Sequence, residues 1–190
     1  MTTDPTHTVF LGQRRLLTAP LPEVLTHLKS LERTTREPLL VFNDQTGRTV
    51  DFDLTGTLDD VLAREVLAPA KTGPGRPKLG VVSREVSLLP RHWDWLESHP
   101  SGASAALRRL IDEARKADPA AERRRMAILP TDRFLTVMGG DLPGAEDASR
   151  ALYAGDGAAF RALVAPWPED IRLHVLHLAS PAFEPETATP

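Results

Sequence analysis

The chain has 190 residues, 41% of them hydrophobic and 26% charged, with a net charge of -3 and no cysteine. That size suits one medium domain or two small ones, and the balance is that of a globular protein. Lack of cysteine excludes disulfides, thiolate catalysis and cysteine-based zinc sites, and it agrees with a cytoplasmic location.

No apolar run approaches the roughly 20 residues of a membrane span, so no membrane contact is expected. The polar start, MTTDPTHTVF, has neither the basic n-region nor the apolar h-region of a secretory signal. Val9–Leu11 and Arg15–Thr18 read as short strands around Gly12-Gln13. LPEVLTHLKSLE places Leu21, Val24, Leu25, Leu28 and Leu31 at helical spacing. PLLVF and RTVDFDL flank NDQTG as a β-hairpin, with Val50, Phe52 and Leu54 on one face and Asp51 and Asp53 on the other. Thr57 caps the helix TLDDVLAREVL, with Asp60 where a capping box places Glu. Residues 8–68 are therefore expected to form a small α+β unit.

APAKTGPGRPKLG holds three prolines and three glycines between Ala68 and Gly80, which marks residues 69–80 as a basic linker. VVSREVSLL reads as a strand, and Pro90 suits the first position of the helix PRHWDWLES. After the break HPSGAS, Ser104 is placed to cap AALRRLIDEARKA, whose Leu107, Leu110, Ile111 and Ala114 share a face. Residues 81–118 thus read as strand–helix–helix. Short helices follow over 119–179, with breaks at Pro130, Gly139-Gly140, Pro143-Gly144, Asp156-Gly157 and Pro166–Pro168. The end, 180–190, has the composition of a disordered tail. The whole is an α+β chain.

The order strand, Pro-opened helix, Gly-Ser break, second helix over Val81–Lys116 resembles the ribbon-helix-helix fold of small bacterial repressors. That resemblance implies an obligate homodimer whose paired strands enter the DNA major groove. Alternation places Val82, Val86 and Leu88 toward the core, with Arg84 the misfit there, and Ser83, Glu85 and Ser87 outward toward base edges. Glu85 departs from the usual readers, because a carboxylate only accepts. Amides at Ala105–Leu107 would meet a phosphate, with Ser104 in the Gly-x-Ser break. Just upstream, GPGRPKLG resembles an AT-hook in Gly75, Arg76 and Pro77, with Lys78 as a flanking charge and Pro74 where a second arginine is usual. Trp93, with Leu89 or Leu96 at helical spacing, reads as a core anchor, and Trp95 as an interface residue. Residues 71–125 carry a net charge of +5 against -8 for the remainder, enough to focus a basic patch on an acidic body.

The run GRPKLGVVSREVSLLPRHWDWLESHPSGASAALRRLIDEAR, with TGRTVDFDL and GDLPGAEDASRALYAGD, also resembles an uncharacterised bacterial family, a domain of unknown function (2239). That resemblance implies no activity, but it implies that both halves belong to one protein type.

Chemistry is sparse. His174 and His177 lie three apart and can share a helix face, without a recognisable carboxylate partner in sequence. Asp51 and Asp53 read as the solvated face of a hairpin. Ser101 and Ser104 lack a nucleophile elbow, and TGPGRPKLG lacks the Gly-Lys-Ser/Thr ending of a phosphate loop. No catalytic residue, metal or cofactor is expected. The expected function is that of a dimeric, non-enzymatic DNA-binding protein, in transcription regulation or nucleoid association. Its double-stranded DNA contacts would be Arg76, Lys78, Ser83, Glu85, Ser87, Arg91, Ser104, Arg108 and Arg109, and the N-terminal unit could take a protein partner. The alternative is a protein-interaction module whose central segment is structural core.

Overall fold

The computed structural model describes residues 5–31, 36–66 and 85–184. The chain divides into two compact units, Met1–Ala68 with Arg123–Pro190, and Pro69–Glu122. The class is α+β.

In the first unit, β1 (Thr6–Leu11), β2 (Arg14–Pro20), β3 (Leu39–Asn43) and β4 (Arg48–Thr49) form an antiparallel sheet in the order β2-β1-β3-β4. Strand alternation gives the sheet two different faces. Val9 and Val41 belong to one, where they cluster with Val24 and Leu28 of α1 (Leu21–Ser30). Phe10 and Phe42 belong to the other, where they join a larger core with Phe134, Leu152, Phe160, Ile171 and Val175. Leu16 is skipped in the β1–β2 register, where Val9 faces Leu17 and Phe10 faces Arg15. That bulge leaves the Arg15 N–H to donate to Asp170 Oδ2 at 2.9 Å.

The second hairpin strand is shorter than the alternation of RTVDFDL predicts, and β4 ends at Thr49. Val50, Phe52 and Leu54 nevertheless pack against the α1 face. The capping box of α2 (Leu58–Glu65) is formed: Thr57 N donates to Asp60 Oδ2 at 2.8 Å and Asp60 N to Thr57 Oγ1 at 3.2 Å. The Thr57 hydrogen bonds hold the Asp60 carboxyl below its ordinary range.

The C-terminal half corrects the reading of Pro130 as a break. Helix α5 (Pro119–Phe134) runs through it and continues as a π-helical turn, Leu135–Gly139. Proline removes one donor from the ladder. Its burial offsets that loss, and Gly47, held at φ +66°, brings its backbone against it. Thr131 Oγ1 also bonds back to the Ala127 carbonyl at 2.7 Å. Then come α6 (Ala145–Ala154), α7 (Gly157–Val164) and α8 (Glu169–Ala179). Trp167 closes the loop before α8, donating from Nε1 to the Pro143 carbonyl at 2.9 Å. The segment read as tail contributes a 3-10 turn, Ser180–Ala182, and Phe183 packs on Phe160 at 5.2 Å between ring centroids. Sheet and C-terminal helices, read from sequence as separate stretches, thus share one core.

The second unit holds α3 (Pro90–Glu97) and α4 (Ala103–Ala117), joined by a tight turn in which Gly102 N donates to the His99 carbonyl at 2.9 Å. Pro90 opens α3 as expected. Ser104, however, is not the cap of α4: Gly102 holds that position at φ +76°, and no side chain caps the helix. The turn demands the left-handed region, which glycine enters freely. Leu96 and Ala106 are buried, and Trp93 is half-buried.

Candidate functional site

The residues expected to contact DNA fall into three groups. Arg76, Lys78 and Ser83, with Val82 and Arg84, lie outside the described residues. Glu85 and Ser87 are exposed, but Glu85–Leu89 forms no strand. A strand needs a ladder, and the single chain offers this segment none among the described residues. Leu89 enters α3 at φ -67°, ψ 150°. Val86, expected toward the core, is 59% exposed. Arg91, Ser104, Arg108 and Arg109 sit exposed on the two helices. Arg108 Nε donates to the Ser104 carbonyl at 3.1 Å, Arg109 lies 3.5 Å from Glu113, and its second nitrogen is 3.3 Å from His99 Nε2.

On α4 the expected apolar face is open to solvent. Ile111 is 55% exposed, Leu110 is also exposed, and Leu107 is half-buried. Trp95 is exposed as well, stacked edge-on to His99 at 4.8 Å.

A second constellation lies in the first unit, and the sequence reading missed its carboxylate. Asp44 follows β3 on the Phe42 side of the sheet, where Thr6 and Thr8 also point. Its Oδ2 accepts from Thr6 Oγ1 at 2.7 Å and from Thr8 Oγ1 at 3.0 Å. Its Oδ1 lies 3.5 Å from His174 Nε2, within ion-pair distance but out of hydrogen-bond alignment. The side chains are 1% and 7% exposed for His174 and Asp44. Phe134 and Phe10 meet the His174 ring edge-on at 4.6 and 5.6 Å. His177, one turn on, is 6.3 Å away from that ring and borders an open cleft together with Asp44. His7, on the opposite sheet face, has Nε2 3.2 Å from Asn43 Nδ2. Burial pushes its pKa down, against smaller upward pulls from Asp44 and the Pro5 backbone.

An Asp–His pair can orient and polarise a base. Here the aromatic cage closes the imidazole off, and general acid–base work requires a substrate proton within hydrogen-bond reach. The pair therefore ties the hairpin end of the sheet to α8. Among the described residues no group of three or more His, Asp or Glu is arranged to hold a metal ion, and no helix is long and apolar enough to cross a membrane.

Residues 6–179 match the model of a family described as an uncharacterised protein conserved in bacteria (DUF2239). The chain belongs to this family. The match opens on the first residue of β1 and closes on the last of α8. The family pattern therefore spans both compact units, and takes in the Asp44–His174 pair as well as α3 and α4. No curated protein and no solved structure matches the chain.

Proposed function

We propose that this chain is a dimeric, non-enzymatic DNA-binding protein of bacteria, acting in transcription regulation or nucleoid association, and that it pairs through residues 81–118. The observation that carries this reading is the segment Glu85–Leu89, which pairs with no strand among the described residues, ahead of an open helical face. Val86, Leu89, Leu110 and Ile111 are all exposed within one small unit. Large exposed side chains concentrated in this way mark an association surface. A second copy supplies the missing ladder and covers the same residues by symmetry. Glu85 and Ser87 then stand on the outer side of the ribbon. The N-terminus of α4, uncapped by any side chain, offers amide donors to a phosphate.

The pairing of Arg108 with Ser104 and of Arg109 with Glu113 and His99 favours a second reading, an interaction module whose assembly is structural. Those contacts hold both guanidinium groups against α4, and the Glu113 carboxylate offsets the charge that Arg109 would present to a phosphate.

Light scattering and duplex-binding anisotropy separate the two. Under the first reading the protein is a dimer at micromolar concentration, and Ile111→Glu makes it a monomer. Affinity falls with salt with a slope of about -4 to -5 when two or three phosphates per chain are neutralised. A dimer without duplex binding at low salt leaves the interaction module standing. A wild-type monomer removes the ribbon arrangement.

A further inference from the structure

Helix α5 has a second apolar face. One face, with Ala127, Thr131 and Phe134, is buried in the core. The other carries Met126, Leu129 and, on the π-helical turn, Val137, which are 59%, 47% and 49% exposed. Three clefts of about 550, 440 and 360 Å³ lie along it. They adjoin: the first two share Gln45, Met126 and Pro130 as lining, and the last two share Arg133. The trough runs beside the β3–β4 turn from Arg123 to Val137, a span of about 20 Å at helical rise.

Its charge is one-sided. Arg123, Arg125 and Arg133 line it from α5, and Arg48 lines it from β4. Among the described residues Arg48 and Arg123 pair with no carboxylate. The nearby acids are engaged elsewhere. Asp44 lines the first cleft, but its side chain is almost fully buried and turned to Thr6, Thr8 and His174, and Asp132 accepts from Ser149 at 2.9 Å and from Tyr153 at 3.1 Å. An apolar floor with cationic walls thus faces solvent on a unit that is otherwise acidic.

We propose that this trough is the docking groove for an acidic amphipathic helix of a partner protein. The partner lays apolar side chains at i, i+3, i+4 and i+7 spacing on Met126, Leu129 and Val137. Its flanking Glu or Asp side chains meet Arg48, Arg123 and Arg133. The chain's own acidic helix α6 does not fit this role in a second copy, because its apolar residues Ala145, Ala148, Ala151 and Leu152 are already buried. The groove belongs to the first unit, so it stands apart from the DNA reading of the second.

The test uses the full chain and a fluorescent helical peptide with leucines on one face and glutamates flanking them. A twin peptide carries lysine in place of each glutamate. Anisotropy titrated to about 1 mM, the weak end of measurable association, should show binding of the glutamate peptide and at least tenfold weaker binding of the lysine twin. Met126→Glu with Leu129→Glu should abolish binding, with the circular dichroism spectrum and Tm kept, since both side chains are exposed. Arg48→Glu with Arg123→Glu should reverse the preference toward the lysine twin. The idea is overturned if neither peptide binds or if both bind equally. It is also overturned if the arginine reversal changes only the affinity for an oligonucleotide.

Discussion

At the scale of single residues, Asp44 is held from three directions. Two threonine hydroxyls donate to it and a caged imidazole lies 3.5 Å from its other oxygen. Asp44→Ala removes the acceptor of the Thr6 hydroxyl and one of two partners of the Thr8 hydroxyl, whose other partner is Thr18 Oγ1 at 2.9 Å, and it takes the carboxylate from beside the His174 ring. The expected loss is about 1–3 kcal/mol by urea denaturation, the cost of leaving buried hydroxyls unsatisfied. Asp44→Asn keeps one acceptor and should cost less. His7 sets a pH dependence of opposite chemistry. Its folded pKa lies below the ordinary 6.5 because burial disfavours the cation. The unfolded chain therefore binds the proton first as pH falls. Stability from neutral His7 is present above pH 6.5 and is lost progressively below it, as pH falls toward the folded pKa. Denaturation curves at neutral and mildly acidic pH should diverge in wild type, and less so in His7→Asn. The sequence showed His174 and His177 on one helix face but not their partner. Asp44 is far away in the chain, and nothing local in NDQTG sets it apart from an ordinary turn aspartate.

At the scale of elements, the parts whose physics is local were legible. The strands around Gly12-Gln13, the helix over Leu21–Ser30, the Thr57 capping box and the Pro-opened α3 follow from alternation, helical spacing and capping chemistry. The parts that depend on distant contact were not. Pro130 reads as a breaker because its cost is local, whereas the contact with Gly47 that offsets it comes from a hairpin more than eighty positions earlier. Gly47 is accordingly a sensitive position. A Cβ there meets the Pro130 backbone and also forces the left-handed region on a non-glycine residue. Gly47→Ala should cost at least about 2 kcal/mol in equilibrium unfolding, and should perturb amide signals of α5 as well as those of the hairpin. The segment Glu85–Leu89 illustrates the converse. Its alternation of Val86 and Leu88 with Glu85 and Ser87 is that of a strand, but pattern alone does not supply a neighbouring ladder.

At the scale of the whole molecule, the first unit is discontinuous. Its sheet comes from the start of the chain and the cover of that sheet from the end, with Phe10 and Phe42 in the same core as Phe134, Ile171 and Val175. Composition and periodicity suggested consecutive stretches, since neither registers which distant segments share an interior. Removing everything from Asp141 onward should therefore abolish folding of the sheet too. Calorimetry of the truncated chain should show no cooperative transition near that of wild type. A retained transition would mean that the sheet and α1 stand alone. The arrangement also bears on biosynthesis. Bacterial ribosomes add about 5–20 residues per second, so the Phe10–Phe42 surface waits on the order of ten seconds for its lid of helices to be translated. Through that interval the N-terminal segment, unfolded without its lid, leaves both aromatic rings in water. The newborn chain, rather than the finished one, is thus the form most in need of a holding chaperone.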